Sequence, residues 1–254
     1  MSKLEIKNVS FSYDGKTDII KDINLSVEKG ELISILGKSG CGKTTLFNVI
    51  SGLKRPKTGS VIIDGEDVTG KPGHISYMLQ KDLLLPYRTI EDNVALPLIL
   101  SGTKKKAARQ AVQDGIRRFG LDGTQKKYPG ELSGGMRQRA ALLRTYNFSG
   151  EIALLDEPFS ALDTLTKGEM HSWFLDVMSE IKLSALFITH DIDEAIFLSD
   201  KICLLTGKPS SITDIIEIKR PESHKKDFSL TPEFLEYKKT ITEKLFVENT
   251  ADMC

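Results

Sequence analysis

Between the apolar run LISIL, Leu32 to Leu36, and a second apolar stretch beginning at Leu46, the chain carries GKSGCGKTT, residues 37–45. Three glycines in nine residues weaken strand and helix alike, so this segment answers to something outside the chain's own fold. Gly37, Gly42, Lys43 and Thr44 fill the pattern G-x-x-x-x-G-K-[ST]. They stand between a predicted strand and a predicted helix running from about Gly42 to Ser51, with Gly52 in a helix-stop position. A phosphate-binding loop needs that context. The amides of Gly37, Lys38, Ser39, Gly40, Cys41, Gly42, Lys43, Thr44 and Thr45 could wrap a phosphate, and the helix N-terminus would add positive potential. Lys43 would reach the β- and γ-phosphates, and Thr44 would offer its hydroxyl to magnesium. A chance glycine-rich turn is the duller reading, which the octet and its flanks disfavour. The loop alone specifies only a nucleotide, since kinases, GTPases and motor ATPases share it.

Two further stretches narrow the class. IALLDEP, Ile152 to Pro158, puts Asp156 and Glu157 at the carboxyl end of an apolar strand, where open α/β sheets bind ligands. Asp156 would hold magnesium through water and Glu157 would take a proton from the attacking water. An acidic pair alone often marks a solvated turn; with the upstream loop it points to nucleotide hydrolysis. LSGGMRQR, Leu132 to Arg139, reads as an N-cap serine, two glycines and a helix. A simple turn before a helix needs one glycine, whereas two adjacent amides at a helix start offer a second anion site.

The rest of the chain supports a parallel α/β core. LEIKNVSFSY, INLSV and SVIIDG read as strands in the first third, and a helical texture runs from about Pro86 to Asn147. Apolar strands return at IALLD and ALFIT, each followed by a helical segment, so the helical block is inserted into the core. Further on, KICLL reads as a core strand and TDIIEI as an edge strand. Thr231-Pro232-Glu233 reads as a capped helix start, continuing through EFLEYKKTITEKLF and packing on the core.

Charge and cysteine usage exclude some partners. Of 254 residues, 35 are Lys or Arg and 35 are Asp or Glu, so no global field draws the chain to nucleic acid or an anionic membrane. Cys41, Cys203 and Cys254 show no CxxC pairing, which fits a reducing cytosol better than a disulfide framework or zinc site. No signal peptide is expected at the N-terminus, and no apolar run approaches the ~18 residues that cross a bilayer. Any membrane role would be exercised from the water side.

With these residues in place the sequence resembles the ATP-binding cassette (ABC) ATPases over most of its length. GKSGCGKT resembles Walker A, Gln80 in MLQKD the Q-loop glutamine, LSGGM the signature and LLDEP Walker B. SALD, Ser160 to Asp163, resembles the D-loop, His190 in FITHD the switch histidine, and Tyr13 in FSYDG the adenine-stacking aromatic. The signature departs from its commonest form at Met136, a change expected to leave catalysis intact. LSGGM, LLLPYRTIEDNVALPL and THDIDEA look most like the nitrate, sulfonate and taurine importer branch.

The resemblance implies a RecA-like core with an antiparallel β subdomain and an inserted α-helical subdomain at about 86–150. An ABC ATPase domain would span 1–220, and a C-terminal helical extension 221–254. It implies ATP and Mg2+ as ligands, the metal held by Thr44, Gln80 and Asp156, and Glu157, His190, Gln80 and Lys43 in catalysis. Ser133, Gly134 and Gly135 would close over nucleotide held by a partner copy or a paired ABC subunit. A membrane permease would dock around Leu85, Pro86, Tyr87 and Arg88, supplied by a substrate-binding protein, with the chain peripheral on the inner face of the cell membrane. The competing reading is a soluble ABC ATPase of DNA repair or translation, but neither the usual long coiled-coil insertion nor a second cassette is present. A small-molecule P-loop kinase would leave LSGGM unexplained. Taken singly, Tyr13 reads equally as a strand aromatic, Gln80 as a loop amide and His190 as a helix-start residue; His74, His171 and His224 match no motif.

Overall fold

The computed structural model describes residues 2–149, 151–220 and 228–247. In chain order its elements begin with β1 (Leu4–Ser12), β2 (Asp18–Val27), β3 (Leu32–Leu36), α1 (Lys43–Ile50), β4 (Thr58–Ile63), β5 (Glu66–Asp67) and β6 (Ser76–Met78). A helical stretch follows: α2 (Ile90–Val94), α3 (Leu96–Leu100), α4 (Lys105–Ala111), α5 (Gln113–Arg118) and α6 (Gly134–Ser149). The chain continues with β7 (Ile152–Asp156), α7 (Thr164–Ile181), β8 (Ser184–Thr189), α8 (Ile192–Leu198), β9 (Lys201–Gly207), β10 (Ser210–Glu217) and α9 (Pro232–Val247).

The chain divides into two compact units, one of residues 1–74 and 184–254, the other of residues 75–183. In the first, the strand order is β5-β4-β1-β2-β10-β9-β3-β8. β3 and β8 are buried at every position and pair in parallel, as expected of strands covered on both faces. β1 pairs antiparallel with β2 and β4, so one sheet holds both an antiparallel and a parallel part. In the second unit β6 and β7 pair in parallel, Met78 opposite Leu155, and carry the stretches before Gln80 and Glu157. There Arg109 grips Asp92 with two hydrogen bonds of 2.7 and 2.8 Å, tying α4 to α2 and holding the Asp92 carboxyl down at about 2.

TDIIEI runs as an edge over its own residues, although the strand that carries it lies inside the sheet. β10 lies between β2 and β9, but it meets β2 only at Ser210, opposite Ile20, while pairing with β9 along its length. Beyond Ser210 it therefore keeps the half-exposed alternation of an edge, which is what the sequence pattern registered.

α9 packs within the first unit. Pro232 occupies the first position of α9, and the Thr231 hydroxyl accepts from the Phe234 amide at 3.3 Å. Phe234, Ile241 and Leu245, with Phe228, enter a cluster with Ala195, Ile196, Ile202 and Leu204. Cys254 and His224 lie outside the described residues.

Candidate functional site

In the first unit, β3 delivers the chain to Gly37 at the level where β8 ends, because Leu36 pairs with Thr189. A Cβ at Gly37 would stand 2.4 Å from the Leu205 carbonyl oxygen on β9 and 2.8 Å from the Cys41 Sγ. No side chain fits. Gly42 has a φ of 98° and caps α1 in the left-handed region, with the Ile19 and Ile20 side chains close by. Lys43 is buried, and its Nζ donates to the carbonyls of Gly37 at 2.7 Å and Lys38 at 3.0 Å, bridging the loop it follows. Lys38, Ser39, Gly40 and Thr44 are exposed. Cys41 is half-buried; burial pushes its thiol above the usual range, and the Lys43 charge offsets part of that rise.

Tyr13 reaches the same loop: its hydroxyl lies 3.2 Å from the Thr45 hydroxyl. Its ring stands edge-on to Phe11 at 4.9 Å and remains 61% exposed, an aromatic surface beside a glycine loop. His190 follows the last residue of β8 and is exposed. Gly37 and His190 thus leave neighbouring parallel strands, which lie about 4.8 Å apart, at the same level.

The second unit brings Gln80 and Glu157 together, the Gln80 amide donating to the Glu157 carboxylate at 3.1 Å. Glu157 adopts a left-handed backbone with φ of 47°, and its carbonyl accepts from the Ser160 amide at 3.2 Å and hydroxyl at 3.0 Å. Asp156, at the end of β7, is buried, and the Tyr77 hydroxyl points at it from 3.5 Å. Burial, then the Asp156 charge, raises the Tyr77 hydroxyl far above its ordinary range and keeps it a donor. Ser133 caps α6, its hydroxyl accepting from the Met136 amide at 3.3 Å. Cβ atoms at Gly134 and Gly135 would meet nothing closer than 3.5 Å, and neither residue has a left-handed φ.

Two further parts of this unit matter. The Gln138 amide of α6 donates to the Pro158 carbonyl, linking the signature helix to the turn after Glu157. The Asn93 side chain, fully buried, accepts from the Leu85 amide at 2.7 Å and donates to the carbonyls of Leu85, Arg88 and Thr89. It templates a turn that leaves Tyr87 92% exposed. Sequence reading missed Tyr77, Gln138 and Asn93; Gln138 alone carried a local signal, one helical turn beyond Gly134.

A glycine loop capping a helix after a parallel strand, with an acidic pair ending another parallel strand, is the layout of a P-loop nucleotide hydrolase. The chain belongs to the ABC transporter family, whose pattern matches residues 20–160, and it is an ATP-binding cassette ATPase. It is 44% identical over 206 residues to the formylaminopyrimidine import ATP-binding protein ThiZ of Halalkalibacterium halodurans, covering 81% of this chain and 80% of that one. It is 38% identical over 213 residues to the aliphatic sulfonates import ATP-binding protein SsuB of Bacillus anthracis, covering 84% of each. Among solved structures it resembles a dimeric ATP-binding cassette in a post-hydrolysis state bound to ADP and Pi, with TM-score 0.71 and 28% identity, over 86% of this chain and 100% of that one. Among the described residues no helix is long and apolar enough to cross a membrane.

Proposed function

We propose that the chain is the ATP-hydrolysing subunit of an importer, acting as a dimer with a second copy or a paired ABC subunit on the inner face of the cell membrane. The observation that carries this reading is the pairing of two open, adjacent glycines with a capping Ser133 at the head of α6: their own unit leaves room for side chains, and their amides suit an anion on a surface that closes on them. The dimeric solved cassette supports such closure. Each nucleotide would lie between Gly37 to Thr45, with Tyr13 on the adenine, and the partner's Ser133, Gly134 and Gly135. Glu157 takes the proton of the attacking water, His190 holds the γ-phosphate, Lys43 neutralises the β- and γ-phosphates, and Gln80 senses the result through Glu157.

Magnesium fits the donors: Thr44 offers a hydroxyl, Gln80 an amide oxygen and Asp156 a carboxylate, all oxygen ligands of the kind this ion takes. A magnesium bound to nucleotide uses few protein ligands and several waters. Thr44, Asp156 and Gln80 would hold it, and it would shield the phosphate charge.

A separate permease would receive the turn at Leu85, Pro86, Tyr87 and Arg88, fed by a substrate-binding protein. The importer reading follows the relatives' names, ThiZ for formylaminopyrimidine and SsuB for aliphatic sulfonates, and the nitrate, sulfonate and taurine branch remains the reading for substrate class. In domain terms the ATPase spans 1–220, with a helical insertion at about 86–150 and an extension at 221–254. The test combines sedimentation with membrane capture. ATP should convert the chain to a dimer, Ser133→Arg should prevent it, and the chain should co-purify with a membrane permease through Tyr87. Full turnover as a monomer would overturn the dimer, and capture on nucleic acid instead of a permease would restore the repair or translation reading.

A further inference from the structure

The turn that carries His190 is closed by a hydrogen-bond circuit that the proposed reaction does not use. Thr189, the last residue of β8, is 1% exposed, and its hydroxyl donates to the carboxylate of Glu194 on α8, itself 4% exposed. The same hydroxyl oxygen accepts from the Asp191 amide at 3.0 Å, spanning His190 from one side to the other. The Asp191 carboxylate in turn caps α8, accepting from the amides of Asp193 at 3.0 Å and Glu194 at 3.2 Å. A carboxylate this buried costs free energy unless it is hydrogen-bonded, and Thr189 supplies such a bond.

The circuit is anchored on both sides. β8 is held against β3 through Thr189 opposite Leu36. α8 is held from the other side by α9, through a buried cluster that includes Ile196, Phe234 and Ile241 and through the Lys238 to Asp193 ion pair at 2.8 Å. These bonds fix the backbone on either side of His190, the base from which its imidazole projects.

We propose that Glu194 is a positioning residue for His190, acting through the Thr189 hydroxyl and the Asp191 amide. The proposal rests on the reading of His190 as the γ-phosphate contact. Loss of the carboxylate frees the Thr189 hydroxyl to turn and releases the Asp191 amide. The imidazole then samples directions away from the phosphate, and displacement of about 1 Å is enough to cost ~10²-fold in rate.

Steady-state ATPase of the full-length chain tests this. Glu194→Ala should lower kcat by roughly 10- to 100-fold with KM for ATP changed by less than about 3-fold, because nucleotide contacts are untouched. Glu194→Gln should restore most of the turnover, since the amide oxygen still accepts from Thr189. In a His190→Ala background Glu194→Ala should cost nothing further. An equal loss in both backgrounds, or no loss of kcat in the single variant, overturns the proposal. If Glu194→Ala does not fold, Thr189→Val should show the same loss and Thr189→Ser none, and equal turnover in that pair overturns it too. Normal turnover of His190→Ala alone would instead sink the role of His190. The ring resonances of His190 then decide positioning by themselves: unchanged in Glu194→Ala they refute it, and shifted and broadened they support it.

Discussion

The two glycine loops of this chain look alike in sequence and differ in what holds them. At Gly37 the chain's own backbone excludes a side chain, with the Leu205 carbonyl 2.4 Å from where a Cβ would stand, and at Gly42 the left-handed φ of 98° does so. At Gly134 and Gly135 the nearest atoms are 3.5 Å away and the backbone is unstrained. The first loop would need glycine even if it bound nothing. The second needs glycine only if something else approaches it. Gly130 and Gly168 are open as well, so openness points to an external partner only where, as at Gly134 and Gly135, two such glycines follow a capping serine at a helix head.

That comparison is sharpened most by trapping the state in which one copy's signature meets the other's nucleotide. Glu157→Gln keeps the shape of the side chain beside Gln80 but cannot take the proton, so turnover should fall by ~10² to 10⁴ while ATP binding persists. ATP should then hold the variant as a dimer in gel filtration. Near-normal turnover would remove Glu157 from the role of base, and a monomer under saturating ATP would leave the openness of Gly134 without its explanation.

The next test separates the loops by stability. Gly37→Ala forces a methyl group against the Leu205 carbonyl and should destabilise the chain by about 1–3 kcal/mol, the usual range for overpacking. Gly134→Ala adds a methyl that finds ordinary contact with Leu162, so stability should be unchanged or rise by up to about 1 kcal/mol, while ATP-driven dimerisation weakens. Urea denaturation of the two variants checks both signs. Equal destabilisation would erase the distinction, and an unaffected dimer in Gly134→Ala would remove its functional meaning.

What the sequence made legible follows the range of the interactions. GKSGCGKTT, LISIL, IALLD and the Pro232 helix start were readable because their determinants are local: glycine, continuous apolar strands, a capping threonine. TDIIEI was readable as an edge because β10 meets β2 only at Ser210, but the position of β10 between β2 and β9 rests on that one distant pair and has no local signal. The Gln80 to Glu157 contact spans 77 positions, and Tyr77 meets Asp156 across 79, so neither has a sequence signature without the fold. Glu194 and Thr189 are only five apart and still escaped notice, because five residues is neither a helical nor a strand repeat. Their bond exists only where a strand turns into a helix.

The smallest effect compares one thiol in each loop. Cys41 is half-buried, and burial raises its thiol above the ordinary value, so at neutral pH little of it is thiolate, the form that reacts. Ser133→Cys would put a thiol on an exposed position at the head of α6. In a Cys254→Ser background, with buried Cys203 held up at about 12, maleimide should label Ser133→Cys faster than Cys41 at pH 7. The Cys41 rate should keep climbing as pH rises past the ordinary thiol range, roughly tenfold per unit while the thiolate remains the minor form. MgATP should protect Cys41 in the parent chain, whose loop would lie under the nucleotide. Protection of Ser133→Cys should require the Glu157→Gln background as well, because only a closed dimer would cover the signature. Peptide mass mapping reads both sites in one sample. Protection of Ser133→Cys by nucleotide at dilutions where the chain is monomeric would mean that its own nucleotide covers it, and the two loops would then differ in packing but not in whose nucleotide they serve.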